Sequence, residues 1–243
     1  MAALIYYRRY LFEQPTRFLR ATVFLFLSIT VILLVFIILG CTSSMASYSS
    51  VYAVKFVSGN AYVQASYYGI CASYTNTTIA CTPIANTTTL EEFTSVTAST
   101  GATVNLLTFG TVVTKKLLRP GLPIASLVII AIAHLANCAR MLAANPHSLF
   151  SFTADTIAGW ASIIASILWG IGATWDYTVS DTLSAVVEGS TSDAVSVVRG
   201  TRMSQMGWAA FALLVIATAC SVISSILDAH SMPPRKLEEP SNA

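Results

Sequence analysis

The side chains able to do chemistry in this chain are few and lie in two places. His134 sits in an otherwise apolar run, with Asn137 one helical turn further on. An ionisable group at membrane depth is costly and marks proton or ion paths. No acid shares that run, so the expectation is a neutral imidazole hydrogen-bonded to a neighbouring helix, with His134 and Asn137 forming an intramembrane polar site. The second place is the pair Cys71 and Cys81, whose nine intervening residues suit a hairpin closed by a disulfide. Asn76-Thr77-Thr78 and Asn86-Thr87-Thr88, beside the same pair, are both N-glycosylation acceptors. The chain has three histidines and carries no phosphate-binding glycine loop, no metal-ligand cluster and no nucleophile motif. The expectation is therefore no catalytic residue, no metal, no cofactor and no enzyme.

The elements that must position these residues are membrane helices. Apolar residues make up 55% of the chain and charged ones 10%, against about a quarter charged in soluble proteins. A net charge of +2 with scattered Lys and Arg lacks the basic patch that nucleic acid requires. Four windows at 21–41, 123–142, 156–175 and 207–227 are long enough to cross a hydrocarbon core of about 30 Å at about 1.5 Å per residue. The first is too long for the apolar core of a cleavable signal, which runs to about 15 residues. This leaves tails at 1–20 and 228–243, a short loop at 143–155, a large loop at 42–122 and a smaller one at 176–206.

Arg8, Arg9, Arg17 and Arg20 place the N-terminal tail in the cytosol, and four spans return the C-terminal tail to the same side. Lys115, Lys116 and Arg119 stand against this, since they fall in the loop that should lie outside. The paired cysteines and the two acceptor asparagines, which need a lumenal or outside location, decide for the outside. A fifth span at 102–113 would place those three basic residues inside, but it is a dozen residues long, short of the roughly 17 a span needs.

Within the large loop, Val51 to Val57 and Ala61 to Tyr67 are rich in β-branched and aromatic residues around Ser58-Gly59-Asn60, and read as two strands with a turn; Ile79 to Thr82 supplies another. Leu106, Phe109, Val113 and Leu117 recur at helical spacing and predict a short amphipathic helix that packs on this sheet rather than on lipid. Ala158, Ser162, Ser166, Gly170 and Thr174, four residues apart, give the third span a small-residue face for close helix packing, with an oligomer contact as the other use. Cys41, Cys138 and Cys220 read as small hydrophobes. The second loop, with Asp176, Asp181, Glu188 and Asp193 dispersed through it, reads as solvated surface.

Gly40-Cys41-Thr42-Ser43-Ser44 closes the first span, and Tyr67-Tyr68-Gly69-Ile70-Cys71 precedes Cys81. On these residues the chain resembles the fungal pheromone-factor-induced family of calcium regulators and membrane-fusion proteins, which are claudin-like. Their motif is Gly, two hydrophobic residues, Gly, any residue, Cys, and later a second Cys. Tyr67, Tyr68, Gly69, Cys71 and Cys81 match it, and Ser66 stands where the first glycine belongs. The resemblance implies an all-α four-helix membrane bundle bearing a small disulfide-closed extracellular β-sheet. It also implies a plasma-membrane role in calcium entry and fusion during mating, with lipid and the other proteins of such an assembly as partners. Two other readings of the same layout are a membrane-domain organiser or pH-sensing component of the Sur7 and PalI type, and an ion-conducting subunit; the latter should line its helices with charges or carbonyls.

Overall fold

The computed structural model describes residues 2–74, 78–85, 90, 95–97, 103–142, 149–191 and 195–231. Four long helices carry it: α1 (Ala2–Ile38), α4 (Gly121–Leu142), α5 (Leu149–Ser190) and α6 (Thr201–Ser231). Each contains a stretch long and apolar enough to cross a membrane, so the chain is a membrane protein. Helix α1 packs against α4 and α6, and α5 packs against the same two, which closes a four-membered bundle. Branched and aromatic side chains such as Ile157, Trp160, Ile164, Ile167 and Ile171 remain exposed along α5. Lipid, rather than protein, is the natural solvent for that face.

Between α1 and α4 lie a short helix α2 (Ala46–Ser49), strands β1 (Val54–Ser58), β2 (Ala61–Ala65), β3 (Gly69–Tyr74), β4 (Thr78–Pro83), β5 (Ser95–Thr97) and β6 (Thr103–Asn105), then α3 (Leu106–Val112) and a π-helical turn (Val113–Leu117). A last strand, β7 (Ser196–Arg199), joins α5 to α6. β5 and β6 form a separate two-stranded ribbon, and the others make one antiparallel sheet of order β4-β3-β2-β1-β7. The β1–β2 turn closes with Ser58 opposite Ala61 and Gly59 at φ 56°, a left-handed position that suits glycine.

The register puts Val54, Phe56, Val63, Ile70 and Ala72 on one face of the sheet. All five are buried. Helix α3 covers that face: Phe109 stacks on Phe56 with ring centroids 5.9 Å apart, and Gly110 lies so close to Val63 that a Cβ there would be 2.9 Å from it. The short helix thus packs on the sheet, which needs an apolar cover, rather than on the membrane face that its spacing would equally allow. On the other face Lys55 lies 3.9 Å over the Tyr62 ring. Sheet and bundle share one continuous core that runs from Leu27, Leu34 and Trp169 to Phe56 and Ile70.

Three features differ from the sequence reading. The 1–20 tail continues α1 from Ala2. Helix α5 runs 42 residues, about 63 Å at the helical rise and twice a hydrocarbon core, so much of the 176–206 loop is a helical extension on the sheet side. The rest of that loop includes β7, which pairs with β1 through Phe56↔Val197 and its neighbours. The far side of β7 faces α5, where Glu188 Oε1 accepts the Val197 amide at 3.4 Å. The solvated loop of the sequence reading is therefore a structural edge of the sheet, with its backbone donor capped as an exposed strand edge requires.

Candidate functional site

The motif residues converge where α1 meets the sheet. After Ile38 the chain turns sharply: Cys41 adopts a left-handed φ of 57°, its amide donates to Tyr48 O at 3.0 Å, and the Thr42 amide donates to Leu39 O at 3.3 Å. This turn presents backbone rather than side chain to the first residue of β3. A Cβ on Gly69 would lie 2.2 Å from the Cys41 carbonyl and 2.5 Å from Thr42 N, so the contact exists only because residue 69 has no side chain. Gly40 is similar: a Cβ there would meet Val51 O at 2.3 Å and Ser66 Oγ at 2.8 Å. Ser66 is fully buried, and its hydroxyl has no hydrogen-bond partner. The serine that replaces the motif's first glycine is therefore accommodated by Gly40 across the seam, at the cost of one unsatisfied hydroxyl.

Two residues along β3 from Gly69, Cys71 faces Cys81 of β4 in register. Their sulfurs are bonded at 2.04 Å, while Cys41, Cys138 and Cys220 are free. Chain denatured without reductant is therefore expected to label at three of its five cysteines, and Cys71→Ser to label at one more; five labelled thiols in the unaltered chain would rule the bridge out. Closing so short a loop contributes at most about 3 kcal/mol in the chain-entropy treatment. Asn76 and Asn86, the two acceptor positions, lie outside the described residues.

Tyr67 does more than fill a hydrophobic motif position. It is buried, and its hydroxyl donates a short hydrogen bond to Asp176 Oδ2 on α5. Burial first, then the adjacent Asp176 carboxylate, hold the phenol well above its usual titration range, so it remains a donor at any physiological pH. Nearby, Trp175 Nε1 donates to Leu117 O at 3.1 Å, and Arg202 donates to Ser50 Oγ at 2.9 Å. Arg199 reaches Asp181 at 3.4 Å and lies 4.3 Å over the Tyr177 ring. These contacts fasten the sheet to α5 and α6 as the glycine seam fastens it to α1.

The residues expected at membrane depth are placed differently. His134 does not hydrogen-bond to a neighbouring helix: its ring stacks on Phe24 of α1 with centroids 4.5 Å apart, and its Nδ1 is buried without a partner. An aromatic side chain stands where the expectation put an acceptor. Asn137 does reach α1, donating to Arg20 O at 3.5 Å. Of the small-residue face on α5, Ala158, Ser162 and Ser166 are buried, and a Cβ on Gly170 would meet Phe211 of α6 at 2.9 Å. Thr174, one turn on, is exposed. At the end of the bundle away from the sheet, Arg140 of α4 forms a buried ion pair with Asp155 of α5, and Ser225 of α6 donates to the same carboxylate at 2.6 Å. The sequence reading missed this tie. Its signal is present: opposite charges close to the ends of two spans joined by a short loop, which antiparallel packing brings to one depth.

A family model described as Ca2+ regulator and membrane fusion protein Fig1 matches residues 47–227. The match covers the sheet, α4, α5 and most of α6, well over half of the chain. No curated protein and no solved structure matches.

Proposed function

The chain belongs to the Fig1 family of Ca2+ regulator and membrane fusion proteins, and from that premise we propose that it regulates calcium influx and membrane fusion during fungal mating. In this reading it is non-enzymatic and resides in the plasma membrane. Both termini lie in the cytosol, and a claudin-like, glycosylated sheet projects outside. The observation that carries the proposal is the reach of the family match across the sheet, its docking contacts on α5 and α6, and the bundle, that is, the parts a regulator would use to couple an outer surface to membrane helices. Its partners are the lipid bilayer and the other membrane proteins of a calcium-entry or fusion assembly.

Regulation is favoured over conduction by how the bundle handles its polar groups. Thr30, Ser162 and Ser166 donate to carbonyls of their own helices four residues back. Hydroxyls turned back onto their own helices in this way do not make the charged or carbonyl ring of a conducting pore. Cells lacking the gene should therefore form mating pairs that fuse less often, and re-expression should restore fusion. Pairs that fuse at the parental frequency would contradict the proposal.

A further inference from the structure

Lys115, Lys116 and Arg119 are the cations that the sequence leaves at odds with a sheet outside the cell, and the fold gives them no internal task. Among the described residues none of the three side chains forms a hydrogen bond or an ion pair. Acids on the sheet side are engaged elsewhere: Asp176 accepts the Tyr67 hydroxyl, Asp181 meets Arg199, and Glu188 accepts the Val197 amide. The exposure of the segment follows one stripe. Val112, Lys115, Lys116 and Arg119 are exposed, while Val113, Thr114 and Leu118 are buried, so the π-helical turn gives one face to the core and gathers its cations on the other.

Two observations set the depth of this stripe. The apolar stretch of α4 starts at Gly121 and runs 22 residues, about 33 Å at the helical rise. That length matches a hydrocarbon core of about 30 Å with no turn to spare, so the boundary falls at its first residues, just after Arg119. Helix α5 gives the same level independently. A Cβ on Gly172 would meet Leu122 of α4 at 3.7 Å, and one turn further along, Trp175 is exposed and donates its Nε1–H to Leu117 O at 3.1 Å. An indole with an apolar ring in the open and its N–H satisfied belongs at headgroup level.

Three unpaired cations held beside such a tryptophan suit negative charge confined to the membrane plane. We infer that Lys115, Lys116 and Arg119 bind the phosphates of anionic phospholipids in the leaflet on the sheet side and gather those lipids around the start of α4. Exposed side chains hold headgroups as an exchanging shell, so the signature is selective local enrichment that salt weakens. The inference rests on the membrane embedding and not on the role in calcium entry.

The test places the full chain in nanodiscs of phosphatidylcholine with a minor share of phosphatidylglycerol. Trp160 and Trp208 are replaced by Phe, which leaves emission from Trp175 and the buried Trp169. Discs of one headgroup composition are compared in which the same amount of either lipid carries bromine on its acyl chains. Brominated phosphatidylglycerol should quench about threefold more than brominated phosphatidylcholine, and salt of about 1 M, where charges are screened within about 3 Å, should remove most of that preference. Lys115→Gln with Lys116→Gln and Arg119→Gln should make the two quenchers equal, and the double lysine variant should fall between. Unfolding temperatures establish that the variants are folded, and if the triple variant is not, the double one carries the comparison. Equal quenching in the chain that keeps its three cations, or an unaltered preference in a folded variant, would overturn the inference. Inorganic phosphate at constant ionic strength should leave the preference intact; its loss would assign the cations to free phosphate and overturn the lipid assignment.

Discussion

Replacing Gly69 with alanine is expected to leave little folded protein. The added Cβ would sit 2.2 Å from the carbonyl carbon and oxygen of Cys41, and neither side of that contact is free to withdraw. Residue 69 begins β3, whose neighbours are fixed by the Ala65↔Ile70 pairing and by the Cys71–Cys81 bridge. The opposing backbone is fixed by the Cys41 amide bond to Tyr48 O. Overpacking a core commonly costs about 1–3 kcal/mol, and a clash of backbone against Cβ, with no rotamer to change, belongs at the top of that range or above. That is a large part of the roughly 5–15 kcal/mol by which domains are stable. Ser66→Gly is the matched control. It restores the motif's glycine and removes a buried hydroxyl that has no partner, and the relief offsets the entropy of glycine, which is about 0.5–1 kcal/mol. Thermal unfolding in detergent should show Ser66→Gly within a few degrees of the unaltered chain and Gly69→Ala strongly lowered or absent from the folded fraction. Equal unfolding of Gly69→Ala and the unaltered chain would refute the seam.

The second large effect lies at the opposite end of the bundle. Asp155→Ala takes from Arg140 a carboxylate partner in a site where the two side chains are 6% and 12% exposed, and it removes one of the two acceptors of the Ser225 hydroxyl, leaving Ser221 O. Removing one member of a buried ion pair typically costs about 3–5 kcal/mol, most of it from the charge left behind, while replacing both members with apolar groups is often near neutral. The double variant Arg140→Met with Asp155→Leu should therefore regain most of the stability that Asp155→Ala loses. If the double variant is as unstable as the single one, the pair is not what holds α4, α5 and α6 together at that end.

How much of this was legible in the sequence varies with the range of the interaction. Apolar windows are local, so all four membrane helices and the strands around Gly59 could be read directly. The Cys71–Cys81 hairpin was also legible, because its ten-residue separation keeps both partners within one motif. β7 was not: four residues, Ser196 to Arg199, form a strand only because the edge of β1 is there to receive them, and β1 lies far away in the sequence. The extension of α5 was hidden for a related reason. Its Thr- and Ser-rich stretch from Thr178 to Ser190 carries Val179, Leu183 and Val187 at helical spacing among residues of weak helix propensity, and packing against β7 decides its state, as tertiary context commonly does where propensity is weak. At the site, Tyr67 was identified as a hydrophobic motif residue, but its bond to Asp176 spans 109 positions and has no local signature. His134 was correctly singled out as unusual and incorrectly assigned a hydrogen bond, because composition does not reveal that Phe24 faces it.

The most direct test of the account is calcium uptake in pheromone-treated cells. Cells lacking the gene should take up less calcium than the parent, expression of the unaltered chain should restore uptake, and expression of Gly69→Ala should not. Uptake equal in parent and deletion would contradict the central claim that this protein regulates calcium entry.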